Sequence, residues 1–176
     1  MTTHARPLHD RFETLARRVP HVPLALLPTP LVTRDGPLGA CLCKLDGQTH
    51  DLYGGNKVRK LEYVLAQAQR HGAARVATFG AAGSNHATAT AVHARALGIG
   101  CVSFLSRQRP TRFVAANLKR QLSAGADIVF VSGDRAQREA QARAYVNRLD
   151  GRTWRIPMGG SSPAGTLGYV NAGLEL

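Results

Sequence analysis

No stretch of about 18 consecutive apolar residues occurs in the chain, so no membrane-spanning helix is expected. Met1 to Pro20 lacks the apolar core of a secretory leader and mixes Arg6, Asp10, Arg11 and Glu13. Cysteine is scarce. Cys41, Cys43 and Cys101 form an odd set of three, which excludes a disulfide framework and fits a reduced cytoplasm. Cys41-Leu42-Cys43 alternates as a strand does, which places both thiols on one face. No further ligands stand at metal-binding spacing, so no metal site is expected and the cysteines are read as buried and inert. Acidic residues are few, 11 against 23 lysines and arginines, and the net charge of +12 invites a nucleic-acid reading. The arginines are scattered, however, and aromatics make up only 6%, with no basic block interleaved with rings. No nucleic-acid partner is therefore expected, and the basic surface suits anionic substrates or cofactors. The standard phosphate loops are missing too: there is no GxGxxG and no Gly-Lys-Ser or Gly-Lys-Thr.

What is present is glycine, 18 residues of it, and 44% apolar residues in a length of 176, enough for one domain or one and a part with a sizeable core. Val22 to Pro30 is proline-rich and reads as extended, and Ala40 to Leu45 reads as a short strand. The polar segment Asp46 to Gly55 reads as a loop. A helix is predicted from Lys57 to Arg70, with Leu61, Val64, Leu65 and Ala68 on one face and Gly72 near its C-cap. Beyond it strands and helices alternate: strand 75–79, helix 84–97, strand 99–105, helix 111–124, strand 126–131, helix 135–149 and strand 153–157. A last helix is predicted from Gly165 to Leu176. This order predicts an α/β fold of right-handed parallel βαβ units, with ligands beyond the C-terminal ends of the strands.

Three segments carry candidate chemistry. In Gly54-Gly55-Asn56-Lys57-Val58-Arg59-Lys60 two glycines deliver a lysine to the first turn of a helix. Only four lysines occur, and Lys57 and Lys60 are two of them. Lys57 faces the positive end of the helix dipole, and an amine held in a pocket suits Schiff-base chemistry. Taken alone, the motif fits equally well two solvated charges on an amphipathic helix. The second segment is Gly80-Ala81-Ala82-Gly83-Ser84-Asn85-His86, in which Ser84 is a natural N-cap and the free amides behind it suit a carboxylate or phosphate. His86 adds a ring that ordinarily titrates near neutrality. An ordinary capped strand-to-helix loop would look the same. The third, Pro157-Met158-Gly159-Gly160-Ser161-Ser162-Pro163, reads either as a ligand loop or as a turn.

Together these segments resemble pyridoxal-phosphate enzymes of the tryptophan-synthase-β-like fold (fold type II), and more narrowly the 1-aminocyclopropane-1-carboxylate deaminase and D-cysteine desulfhydrase family. Pro28-Thr29-Pro30-Leu31, Lys44-Leu45-Asp46, Gly54 to Glu62, Gly83 to His86, Gly159 to Ser162 and Gly165 to Val170 carry the likeness in order, from about Leu24 to the end. The resemblance implies a three-layer parallel-sheet small domain over residues 62–165. Residues 1–61 would be the N-terminal part of a larger α/β domain, and 166–176 the start of the return to it. It implies that Lys57 carries pyridoxal 5'-phosphate as an internal aldimine and that Asn56 and Asn85 contact the cofactor, Asn85 at the ring hydroxyl. It implies that Ser84, Asn85 and His86 hold the substrate carboxylate, with Lys57 and Ser84 the catalytic pair and Lys60 a packing or ion-pairing residue. The reaction implied is loss of ammonia, or of sulfide and ammonia, from a small amino acid, with Lys57 moving protons as a general base.

The chain departs from that family at Gly83, where a glutamine is usual, and at Asp46-Gly47, where many members carry a second acidic residue. Family chains are nearly twice as long. The resemblance places the cofactor-phosphate loop, the partner of the pyridine nitrogen and substrate-contacting tyrosines beyond Leu176. The terminal helix, uncapped in sequence, reads as cut inside an element. The expectation is therefore an enzyme that forms a homodimer or needs a missing C-terminal half. The competing expectation is a non-catalytic remnant or subunit completed by a second chain.

Overall fold

The structure, a computed structural model, describes residues 6–37 and 39–176. Two short helices open it, α1 (Pro7–Arg11) and α2 (Glu13–Arg18). An extended segment leads to an antiparallel hairpin of β1 (Leu31–Gly36) and β2 (Gly39–Lys44). After a 3-10 turn come α3 (Asn56–Arg70), β3 (Arg75–Ala81), α4 (Asn85–Ala96), β4 (Gly100–Ser106), α5 (Arg112–Ser123), β5 (Asp127–Phe130), α6 (Arg135–Val146), β6 (Thr153–Arg155) and α7 (Pro163–Leu174).

The predicted alternation is present, and its strands form one parallel sheet of order β5-β4-β3-β6. In register, Val76 of β3 lies between Cys101 of β4 and Trp154 of β6, and Phe104 of β4 pairs with Val129 of β5. Successive strand residues face opposite ways, so the sheet feeds two cores. On one side Val76 and Cys101 pack under the apolar stripe Leu61, Val64, Leu65 and Ala68 of α3 and the alanines of α4. On the other, Ala77, Val102 and Phe104 meet Ala142, Tyr145 and Val146 of α6. Helix, sheet and helix make three layers.

The N-terminal part differs from expectation at two points. Leu31–Gly36 is a strand where the sequence shows no alternating apolar pattern, because neither face of the hairpin is fully covered. For the same reason Cys41 is exposed and Cys43 half-buried, with sulfurs 3.7 Å apart on a shared face; only Cys101 is buried. The last helix also starts two residues early, at Pro163, because the Ser162 hydroxyl caps it by accepting from Gly165 N at 3.1 Å.

A buried ion network locks α3. The Arg59 guanidinium, 1% exposed, donates to both oxygens of Asp46 at 2.8 and 2.9 Å and both of Glu175 at 2.7 and 3.1 Å. It also donates to the Thr29 hydroxyl at 2.9 Å. Lys44 Nζ adds a contact to Glu175 at 2.7 Å. Burial works against the Arg59 charge, but its bonds to Glu175 and Asp46 outweigh it and hold the group charged. One helical turn on, Glu62 pairs with Arg6 and accepts from Leu24 N and Ala25 N.

Candidate active site

Lys57 owes its place to a closed loop. Gly55 N donates to Asp46 O and to the Thr49 hydroxyl, both at 2.9 Å, and Thr49 donates back to Gly55 O. Gly55 has φ +117, a region that side-chain-bearing residues avoid. A Cβ on Gly54 would stand 2.2 Å from Gly47 O. The loop thus closes only with glycine at both positions, and helix α3 begins at Asn56, with Lys57 as its second residue. Gly54→Ala is expected to lower stability by roughly 1–3 kcal/mol, read as a fall in the urea midpoint. An unchanged midpoint would mean the loop yields without cost.

The same loop reaches the second segment. The Tyr53 hydroxyl lies 3.1 Å from Asn85 Oδ1 and 3.3 Å from Asn117 Oδ1. Asn117, on α5, donates through Nδ2 to Asn85 Oδ1 at 2.9 Å and to Gly83 O at 3.0 Å. Asn85 Oδ1 therefore receives two donors, which orients its amide and leaves Nδ2 as a donor with no acceptor among the described residues. Ser84 caps α4: its hydroxyl accepts from Ala87 N at 3.2 Å and keeps its own proton to donate. The first amides of α4 have no partner within the helix. Asn56 is exposed and makes no side-chain hydrogen bond among the described residues.

His86 differs from its sequence expectation. It is buried, and neither ring nitrogen has a hydrogen-bond partner among the described residues. Burial first, then the positive charges of Lys57 and Lys60, push it down to about 4, so near neutral pH the ring is uncharged. That coupling also shows Lys57, Lys60 and His86 sharing one region. The third segment joins them: Lys60 Nζ donates to Gly159 O and Ser161 Oγ, both at 3.2 Å, and lies 5.5 Å from the Tyr169 ring centre. A Cβ on Gly160 would stand 3.1 Å from His86 Cε1. Lys60 thus tethers the 159–161 turn.

Sequence reasoning missed Tyr53, Asn117, Arg59 and Glu175. Their signal is spatial: Asn117 and Glu175 lie far along the chain from the loop they serve. No group of three or more histidine, cysteine or acidic residues stands at metal-binding geometry among the described residues. Among the described residues no helix is long and apolar enough to cross a membrane.

Buried neutral histidines make an acid-labile fold. His93, like His86, is held at about 4, chiefly by burial. An unfolded histidine takes up a proton near 6.5, so below that value the unfolded state binds more protons and stability falls. Each of the two is expected to contribute up to about 1.4 kcal/mol per pH unit as pH drops from 6.5 to 5. Urea melts at pH 7 and pH 5 test this. Coincident midpoints would refute it, and His86→Gln should flatten the slope.

The arrangement suits pyridoxal phosphate. It offers a lysine amine at a helix start, an oriented amide donor and an unpartnered capped N-terminus. Comparison with known proteins decides the family. The profile of the pyridoxal-phosphate-dependent enzymes matches residues 22–176. The chain belongs to that family. Among relatives in it, nocardicin C-9' epimerase of Nocardia uniformis subsp. tsuyamanensis is 40% identical over 165 residues, 90% of this chain and 50% of its own length. D-cysteine desulfhydrase of Salmonella paratyphi A is 34% identical over 180 residues, 97% of this chain and 53% of its own. The crystal structure of a homologue of 1-aminocyclopropane-1-carboxylate deaminase superposes with a TM-score of 0.77 at 31% identity, over 98% of this chain and 53% of that one. The chain spans about half the length of the curated relatives it matches. The family's cofactor is pyridoxal phosphate.

Proposed function

We propose that this chain carries the cofactor-attachment and proton-transfer part of a lyase or deaminase acting on a small amino acid, of the D-cysteine desulfhydrase or 1-aminocyclopropane-1-carboxylate deaminase kind. The observation that carries the reading is the contact of Tyr53, four residues before Lys57, with the oriented Asn85 at the start of α4, next to the Ser84 cap. Pyridoxal phosphate, when bound, draws electrons away from the bonds of the substrate's α-carbon. Lys57 Nζ holds the cofactor covalently. The same nitrogen would serve as the base that moves the proton at Cα. Asn85 Nδ2 would donate to the ring hydroxyl oxygen, with Tyr53 and Asn117 fixing its direction. Asn56 flanks the cofactor from the first position of α3. The Ser84 proton and the first amides of α4 bind the substrate carboxylate, beside the uncharged His86 ring.

In this reading residues 62–165 form the small domain and the flanking stretches belong to a larger one, the boundary falling inside α3. A further stretch of polypeptide, in this chain's natural continuation or in a second chain, completes the site. The half-length match to the relatives supports that part of the reading. The test is borohydride reduction of the protein with pyridoxal phosphate, followed by peptide mapping. Stoichiometric labelling at Lys57 is the expected result. Labelling spread over Lys44, Lys60 and Lys119, or none, would favour instead a non-catalytic subunit.

A further inference from the structure

The face of the parallel sheet opposite α3 and α4 is covered unevenly. Among the described residues α6 is the helix that packs there, and its 12 residues reach about 18 Å. Its apolar contacts, Ala142, Tyr145 and Val146, all lie in its C-terminal half. The N-terminal half presents Arg135, Arg138 and Glu139 instead and leaves a cavity of about 730 Å³ over the C-terminal ends of the strands. The rings of Phe79 and Phe104 line it, stacked 5.4 Å apart at 24°. Val131, Ile156 and Met158 complete the apolar wall, and Arg155 closes the rim with the α6 residues.

The rim charges do not cancel. Arg155 pairs with Glu139, the one acidic lining residue, and sits 5.0 Å from the Phe79 ring centre. Arg138 spends its Nε on Gly133 O at 2.8 Å, which leaves its terminal nitrogens as donors. Arg135 has no acceptor among the described residues. Two guanidinium groups thus face the mouth of an aromatic-lined cavity without a counter-charge. The volume lies within the range of small-molecule sites. Apolar lining rewards burial of a ring, and stacked aromatics favour a planar one. Guanidinium groups favour a carboxylate or a similar planar anion.

We propose that this cavity is a second binding site, for a small organic anion that joins a planar ring to a carboxylate. The ring lies against Phe79 and Met158, and the carboxylate meets Arg135 and Arg138. Lys57, Ser84, Asn85 and His86 are not among its lining residues, so the proposal stands apart from the cofactor reading. The two regions do share walls: Gly80 and Ala81 run on into the Ser84 loop, and Pro157 and Met158 into the turn held by Lys60.

Calorimetric titration of the 176-residue protein with 3-phenylpropionate tests the proposal. Saturable binding is expected, at least tenfold tighter than that of 3-phenylpropionamide, which lacks the charge, or of propionate, which lacks the ring. The double variant Arg135→Gln, Arg138→Gln changes surface side chains and should keep its urea midpoint while losing at least tenfold in affinity. Equal affinity for the amide, wild-type affinity in the double variant, or no saturable binding would each overturn the assignment.

Discussion

Arg59→Met is expected to destabilise the protein by about 3–5 kcal/mol. The guanidinium is 1% exposed and so is the Glu175 side chain. Removing the cation strands two carboxylates, the buried Glu175 and the partly buried Asp46. Glu175 is the worse placed of the two. Burial pushes its carboxyl up, and Arg59 and Lys44 together hold it down; without Arg59 only Lys44 remains. The loss should appear as a lower urea midpoint with the denaturant slope unchanged. Arg59 stands two residues beyond Lys57, and Asp46 also closes the Gly55 turn, so the yield of reduced cofactor label should fall as well. A loss below about 1 kcal/mol would mean that the network behaves like a surface ion pair. The double change Arg59→Met, Glu175→Leu should recover part of the loss, because it removes the stranded charge.

Lys57→Ala is expected to abolish covalent capture of pyridoxal phosphate altogether while leaving the fold intact. The side chain is half-buried and makes no hydrogen bond among the described residues, so its removal costs little stability. Lys60→Ala separates chemistry from structure. It removes the bonds to Gly159 O and Ser161 Oγ, so it should loosen the 159–161 turn yet still label at Lys57. Peptide mapping after borohydride distinguishes the two. Undiminished label in Lys57→Ala, carried by Lys60, would move the attachment point one helical turn along α3.

The layered part of the fold was legible in the sequence because each element there answers to one local signal. The stripe on α3, the Ser84 cap and the glycines at the ends of α4 and α5 each act within a few residues. The hairpin was half legible. Cys41 to Cys43 alternates, but Leu31–Gly36 mixes apolar and charged residues and buries neither set, so periodicity had nothing to report. The two short helices before it are held by distant partners, such as Asn171 Oδ1 accepting from Leu8 N. In the site, residue types and order pointed to Lys57, Ser84 and Asn85. The His86 expectation failed because titration depends on surroundings: a ring placed under Gly160 and beside two ammonium groups does not keep its solution behaviour. Asn117 and Tyr53 were invisible since an asparagine or tyrosine gains a positioning role only from what the fold sets against it.

The β1–β2 hairpin carries a consequence for how the molecule breathes. Among the described residues its strands pair only with each other, and a lone pair of strands is marginal in water. One end is pinned, with Lys44 bonded to Glu175 and to Thr29 O and Leu45 N bonded to Pro30 O. The other end, where Gly36 faces Gly39, has no such anchor among the described residues. Amide hydrogen exchange should therefore run as a gradient along the ribbon, fast near Gly36 and slow toward Lys44, and finish before the amides of β3 and β4 begin to exchange.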